Sequence, residues 1–340
     1  MDIDVVILWV NGADPAWLEE KKKYTPPAAA DSNSPNRYRD WGLLPYWFRS
    51  IDRFMPWVRK VHLVTWGHVP AFLNCKAPKL NVVKHTDFIP AEYLPTFSSH
   101  AIEMNIHRIP DLSEHFVYFN DDMFLLRPMS ESDFFRNGLP CTYGREEPWI
   151  FTHPVGIWSH AAANDLGIIN RHFSKREAVS HHREKFYSRE YRWKDNLRTW
   201  VLNRLYPDHF SGFRNLHAPA AYLKKTFEAV WKAEPELLQS TCRDRFRKAE
   251  NVNQWVCLWW QVASGDFSPC VIDNLVNSVS EENIDALCSC IESQSHTYIC
   301  LNDPEQPVDF AYLSRRLRDS FEKLLPERSQ FEINYENETV

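Results

Sequence analysis

The sequence predicts an α/β fold: a Rossmann-like, mostly parallel sheet flanked by helices, with a mainly helical insert. Three observations lead there. Short, near-continuous apolar runs at residues 3–10, 61–65, 80–84 and 116–119 have the pattern of strands buried on both faces. Helical patterns separate these runs, and strands alternating with helices imply parallel crossovers. The chain has 340 residues, 44% hydrophobic and 25% charged, a globular composition that excludes a disordered or collagen-like chain. A chain this long buries on the order of 75% of its unfolded surface and needs no disulfides.

Taken in order, the first strand is broken by the turn sequence Asn11-Gly12-Ala13-Asp14-Pro15. Residues 21–36 are rich in lysine and proline and read as a loop. A helix begins near Pro45, which suits a first helical turn, and carries Trp47, Phe48, Ile51 and Phe54 before Pro56 stops it. The second and third strands follow at 61–65 and 80–84. A helix over about 98–109 sets Ile102, Ile106 and Ile109 on one face and His100, Glu103 and His107 on another. The fourth strand ends in Asn120-Asp121-Asp122.

The middle of the chain, about 150–210, is aromatic, histidine-rich and basic, and reads as helical. Residues 171–198 hold nine Lys/Arg against four Asp/Glu. Helices are expected at about 219–233 and 249–264. A strand at 297–301 runs into Asn302-Asp303-Pro304, and a last amphipathic helix covers about 309–325. With no internal repeat or low-complexity linker, residues 1–330 form one discontinuous domain. Its core is 1–130 and 211–330, its insert 131–210, and 331–340 are a tail.

Charge and composition exclude several functions. Lys plus Arg is 39 and Asp plus Glu is 45, a net −6, which argues against a nucleic-acid binder. Only nine glycines are present, so no glycine-rich phosphate loop is available. The start shows no signal-peptide pattern, and the longest apolar helical stretch, 255–263, is far short of the ~20 residues that span a bilayer. Eight cysteines without a secretion signal read as reduced thiols, so a cytoplasmic location is expected.

Both Asn-Asp strand ends matter chemically, because ligands of open parallel sheets bind beyond the carboxyl ends of strands. Asp121, Asp122 and Asp303 offer hard oxygen ligands for Mg²⁺ or Mn²⁺, while Asn-Asp also simply turns a chain. His100, Glu103 and His107 read either as a solvated face or as one aimed into a polar cleft. Their spacing is not that of an H-E-x-x-H zinc site. His217, Arg247, Glu250 and Arg318 form a later polar set. By themselves the residues reach only a polar cleft with a candidate divalent metal.

The chain resembles the Stealth family of sugar-phosphate transferases, which includes bacterial capsule phosphotransferases and the α/β subunit of the lysosomal-enzyme GlcNAc-1-phosphotransferase. Residues 3–15 are similar to the family's first region. Residues 37–128 resemble the second, with Arg39-Asp40, Arg49-Ser50-Ile51, Pro56-Trp57-Val58, Leu94-Pro95-Thr96-Phe97, Ala101-Ile102-Glu103, His107-Arg108-Ile109 and Tyr118-Phe119-Asn120-Asp121-Asp122. His217-Ala218-Pro219 through Arg247 and Glu250 resemble the third. Cys300-Leu301-Asn302-Asp303, Leu317-Arg318 and Ser329-Gln330-Phe331-Glu332 resemble the fourth. Asn11, Ala13, Leu43 and Trp66 depart from the family's usual residues.

The resemblance implies transfer of a hexose-1-phosphate, for example GlcNAc-1-phosphate, from a UDP-sugar to a glycan hydroxyl, with a phosphodiester formed and UMP released. It implies catalytic roles for His217, Glu103, Asp121, Asp303, Arg247 and Arg318, and Mg²⁺ or Mn²⁺ on Asp121, Asp122 and Asp303. Asn11, Gly12, Asp14, Arg39, Asp40 and Thr65 are expected at the donor nucleotide. His217 is the favoured general base, with the carboxylates as rivals. The expected acceptor is a glycan or lipid-linked glycan at the inner face of the cell membrane. The basic insert would attract that acceptor or an anionic membrane. The alternatives are a metal-dependent glycosyltransferase releasing UDP and a non-catalytic glycan-binding module.

Overall fold

The computed structural model describes residues 1–25, 38–150, 156–214, 216–304 and 306–333. Most of the expected 21–36 loop and of the 331–340 tail therefore lies outside the described residues, as does Arg37. The first half contains β1 (Ile3–Leu8), α1 (Pro15–Tyr24), α2 (Leu44–Phe54), β2 (Val61–Thr65), β3 (Leu80–Lys84), α3 (His85–Phe88) and α4 (Ser99–Asn105). Next come β4 (His115–Phe119), β5 (Met123–Leu125), α5 (Glu131–Phe134), β6 (Phe135–Arg136) and β7 (Leu139–Thr142). The insert supplies α6 (Ile157–His172), α7 (Lys175–His181), α8 (Arg183–Phe186) and α9 (Trp193–Leu205). The chain continues with β8 (Ala220–Leu223), α10 (Lys224–Ala233), α11 (Pro235–Arg243), α12 (Trp255–Ser264) and β9 (Ser268–Pro269). It closes with β10 (Asn274–Ser278), α13 (Ile284–Ser293), β11 (Tyr298–Asn302) and α14 (Phe310–Leu324).

The central sheet has the order β3-β2-β1-β4-β8. β1, β2, β3 and β4 are parallel, and β8 joins β4 antiparallel as an edge. Alternate side chains of each strand face opposite sides. Val5 and Ile7 of β1 join Val117 and Phe119 in one apolar cluster with α2, α13 and α14. Val6 joins Phe116 and Tyr118 in a second cluster on the other side, with residues of α6, α10 and α12. That second cluster also takes Phe186 and Phe210, so the helical insert shares a core with the sheet. Two smaller sheets, β10-β11-β5 and β6-β7-β9, flank the central one.

Local sequence explains most boundaries. Asp14 caps α1 by accepting from Trp17 N–H at 2.9 Å, with proline in the first turn. α2 buries Trp47, Phe48, Ile51 and Phe54, each contributing about 1.5–3 kcal/mol of burial. α12 ends at Gly265 in the left-handed conformation, φ 80°.

Four expectations need correction. Residues 21–24 are the last turn of α1, not loop. The helix expected at 98–109 is α4 followed by a 3-10 turn over 106–108, and its polar residues are not solvated: His100, Glu103 and His107 are all buried. The helix expected at 219–233 opens instead with β8, because Ala220 and Ala221 pair with Tyr118 and Val117 of β4. The one expected at 249–264 begins only at Trp255.

Candidate active site

β1, β2 and β4 end at the same edge of the sheet because they are parallel, and antiparallel β8 begins there. This brings His217, three residues before β8, over the turn that follows β4. His217 Nε2 lies 3.5 Å from Asp122 Oδ2. Leu301 N–H of β11 donates to the Asp122 carbonyl at 2.9 Å, which ties a third element to the turn. One ligand atom each from Asp122, His217 and Cys300 lie within 4.8 Å of one another. The His217 backbone adopts φ 42°, a left-handed conformation that costs a non-glycine residue on the order of 1 kcal/mol. Asn274 Nδ2 offsets that cost by donating to the Leu216 and His217 carbonyls at 2.6 and 2.9 Å.

The electrostatics of this turn are unbalanced. Solvent reaches Asp121, but protein crowds it on the remaining sides. Desolvation, then the charge of Asp122 and more weakly that of Asp40, push its carboxyl up to about 7, with Arg247 opposing. Asp122 Oδ1 is buried without a hydrogen-bond partner. Burial acts to lower the His217 pKa, but the hydrogen bond and charge of Asp122, with Glu103 adding, raise it overall. The Cys300 thiol is pushed far up by burial and the neighbouring aspartates.

Glu103 is buried behind this turn and accepts from Tyr118 Oη at 3.4 Å and from Gln254 N–H at 3.3 Å, at the start of α12. Negative charge at a helix N-terminus is favoured, so Glu103 positions α12 and adds to the field at His217. Arg247 donates to Ser99 Oγ at 2.7 Å. His107 stacks on Phe227 and lies against Trp231, away from the cleft.

Asp303 has a different neighbourhood. Arg39 grips its carboxylate through Nη2 and, at 3.3 Å, through Nε, and Trp41 Nε1 donates to it at 3.3 Å. Arg39 also lies 4.3 Å from the Phe310 ring centroid at the start of α14. The expected gathering of Asp121, Asp122 and Asp303 is therefore not what the described residues present: Asp303 pairs with an arginine, and His217 and Cys300 stand beside Asp122. Asp40 accepts from Gly42 N–H at 2.7 Å while its charge reaches Asp121. Arg318 packs beside Gly42, with Cδ 3.7 Å from where a Cβ would stand.

The turn after β1 is held by its own residues. Asn11 N–H donates to His68 Nε2 at 2.8 Å, and Asn11 Oδ1 accepts from Ala13. Asp14 caps α1. A Cβ on Gly12 would stand 1.9 Å from the Tyr38 carbonyl oxygen, so this glycine admits the close approach of the 38–42 segment. Thr65 is fully buried and accepts from Gly67 N–H, which ties its hydroxyl to the turn after β2. His68 and Cys300 were not singled out as site residues from sequence. His68 follows a Trp-Gly turn and Cys300 is one of eight cysteines, all of them free thiols here, so neither carries a spacing signal.

Comparison with known proteins decides the family. Residues 1–26 match the model for Stealth protein conserved region 1, and residues 37–141 match that for conserved region 2. A capsular polysaccharide phosphotransferase WcwK of Streptococcus pneumoniae is 38% identical over 332 residues, covering 97% of this chain and 99% of that protein. The chain belongs to the Stealth family of capsular and exopolysaccharide phosphotransferases. Other relatives of this Stealth protein are the receptor polysaccharide phosphotransferase WefC of Streptococcus gordonii, 38% identical over 97% of this chain and 99% of its own, and the exopolysaccharide phosphotransferase cps2G of Lactiplantibacillus plantarum, 34% identical over 97% and 96%. Among solved structures, the galactosyltransferase LgtC aligns with TM-score 0.39 and 10% identity over 98% of both chains. Mouse xyloside xylosyltransferase 1 aligns with TM-score 0.37 and 12% identity over 89% of this chain and 98% of that one. Among the described residues of the Stealth protein, no helix is long and apolar enough to cross a membrane.

Proposed function

We propose that this Stealth protein transfers a hexose-1-phosphate, such as GlcNAc-1-phosphate, from a UDP-sugar to a glycan hydroxyl, forming a phosphodiester and releasing UMP. The observation that carries this reading is the Asp122–His217 pair beyond β4, in a family whose members are polysaccharide phosphotransferases. A sugar hydroxyl is a weak nucleophile and gains from a positioned base. Asp122 Oδ2 orients His217 and stabilises the imidazolium formed when it takes the hydroxyl proton, as a carboxylate does in a catalytic triad.

The donor set beside it fits a hard divalent cation. Asp122 Oδ1 has no hydrogen-bond partner and Asp121 ionises reluctantly despite Arg247, so the negative charge of the two neighbouring carboxylates is incompletely compensated. Mg²⁺ or Mn²⁺ held by Asp121 and Asp122 would neutralise charge on the phosphoryl oxygens. The protonated thiol of Cys300 does not suit such an ion. Arg247, facing Asp121, and Arg318, beside Gly42, are the forked cations for the donor's phosphates. Arg39 is committed to Asp303 and holds the 38–42 segment against β11 and α14. With a nucleotide-sugar donor and a glycan or lipid-linked glycan acceptor, the reaction is proposed to take place at the cytoplasmic face of the membrane.

The test is to incubate the protein with UDP-sugars, Mg²⁺ and a glycan acceptor and to weigh the released nucleotide. UMP together with a phosphodiester resonance in the ³¹P spectrum of the product is expected. UDP would mean attack at the anomeric carbon, the glycosyltransferase alternative.

A further inference from the structure

α9 of the insert is built on two opposed faces. Asp195, Thr199 and Leu202 point inward and are buried. On the opposite side, Trp193, Leu197, Trp200, Val201 and Leu205, followed by Tyr206 at the helix end, face solvent. Trp193 is 70% exposed, Leu205 64% and Trp200 50%. Their spacing of i, i+4, i+7, i+8 and i+12 makes one continuous stripe. Two tryptophans and a leucine left in water on one helix form an exposed apolar patch of the kind that marks an interaction surface.

Charge says what covers the stripe. Between residues 189 and 206 stand Arg189, Arg192, Lys194, Arg198 and Arg204 against Glu190 and Asp195. Asp195 is consumed internally by Arg145 at 2.8 Å. Arg204 and Lys194 lie beside the Trp200 and Trp193 rings, 5.4 and 5.7 Å from their centroids, where long stems can lie along apolar surface and heads reach phosphates. The whole chain is acidic, with a net charge of −6, whereas residues 189–206 carry five cations against two anions, so this cationic, tryptophan-bearing helix stands apart. Arg198 pairs with Glu147 at 3.4 Å, and a second copy of the chain would bring the remaining cations against the same set. With thirteen residues α9 is about 20 Å long, too short for the ~30 Å hydrocarbon core.

We infer that α9 is an in-plane anchor that lays its Trp193–Trp200–Leu205 stripe into the surface of an anionic lipid bilayer. In such binding the apolar face sinks to the headgroup boundary and cations pair with lipid phosphates. The inner face of α9 connects this surface to the site: Asp195 accepts from Tyr143 Oη at 2.8 Å, and Tyr143 lines the same cavity as Arg214 and His217. Membrane contact at α9 would therefore bring a lipid-borne acceptor to the wall of the cleft. The lipid contact itself does not depend on the reaction proposed above, and it is measured without donor or acceptor.

The experiment is flotation of the full chain with phosphatidylglycerol-rich vesicles and with pure phosphatidylcholine vesicles, alongside tryptophan emission. Binding to the anionic vesicles with a blue shift is expected, weakened by salt because the attraction acts over ~8–10 Å. The Trp193→Glu/Trp200→Glu double variant should bind at least about tenfold more weakly, and Arg192→Glu/Arg204→Glu should lose the salt-sensitive part. Both variants alter exposed residues and should keep the wild-type unfolding temperature and turnover on a water-soluble acceptor. Absence of wild-type binding to the anionic vesicles would overturn the inference, as would unchanged binding of the tryptophan variant. A concentration-dependent dimer that the same tryptophan variant disperses, with no vesicle binding, would assign the stripe to a second copy instead.

Discussion

The two ends of the central sheet treat their carboxylates in opposite ways. At the amino end, Asp4 of β1 is fully buried and fully satisfied. It takes Arg59 Nη2 at 2.6 Å and Nε at 2.8 Å, His62 Nε2 at 3.0 Å and Ser113 N–H at 2.8 Å. Burial raises its pKa, but these partners outweigh it and the carboxyl titrates below its ordinary value. At the carboxyl end, Asp121 and Asp122 crowd each other, one oxygen is unpartnered, and the Asp121 carboxyl is pushed up to about 7. The first end spends its carboxylate on stability. The second leaves its carboxylates incompletely compensated, which is the arrangement expected where a ligand supplies further positive charge.

Substitutions at the two ends should therefore separate activity from stability. The largest effect is expected from His217→Gln, which should lower turnover by roughly 10²–10⁴ with little change in unfolding temperature. A turnover near wild type would move the general base to one of the carboxylates. Asp4→Asn should do the reverse. It strands a buried histidine and an arginine, at a cost of roughly 3 kcal/mol, read by urea unfolding, while the reaction of the folded enzyme persists.

pH should sharpen the contrast, since the two shifts have opposite signs. The Asp4 contribution is fully present above the ordinary carboxylate pKa of about 3.9 and is lost as pH falls through its lower folded value. The Asp121 contribution is fully present below about 3.9 and is lost as pH rises toward about 7. In metal-free buffer, Asp121→Asn should raise the unfolding temperature more at pH 8 than at pH 5. Asp4→Asn should depress it at both and flatten the fall below pH 4. Equal effects of the Asp121 variant at the two pH values would mean that its carboxyl is not held neutral by its surroundings.

A smaller loss is expected from Gly12→Ala, whose Cβ would meet the Tyr38 carbonyl. Overpacking of this kind costs about 1–3 kcal/mol, and it should displace the segment that carries Arg39 and Asp40, so donor affinity should fall along with stability. The smallest effect belongs to the exposed Arg176–Asp208 pair. Removing it should change stability by less than about 0.5 kcal/mol, which sets the scale against which the Asp4 cluster is measured.

Most of the fold was legible because it rests on local signals. The parallel strands were visible as apolar runs, α2 as an amphipathic pattern bracketed by Pro45 and Pro56, and the insert as helical. β8 was not legible: Ala220 and Ala221 are good helix formers, and only the free edge of β4 makes them strand. Nor was the burial of His100, Glu103 and His107, since a polar face at helical spacing looks the same whether it meets water or Tyr118 and Phe227.

The candidate site divides along the same line. The residue types at the strand ends, Asn120-Asp121-Asp122 and Asn302-Asp303, together with the resemblance to the Stealth family, pointed from sequence to the carboxyl edge of the sheet as the proposed place of phosphotransfer chemistry. Which groups meet there was settled by tertiary structure. Asp122 met His217 and Cys300 because β8 and β11 deliver them to one turn, while Asp303 went to Arg39. Residues 95 and 264 positions apart have no shared local pattern. Their pairing depends on how sheet register and helix packing orient each strand end, and a carboxylate binds whichever cation those constraints bring within reach.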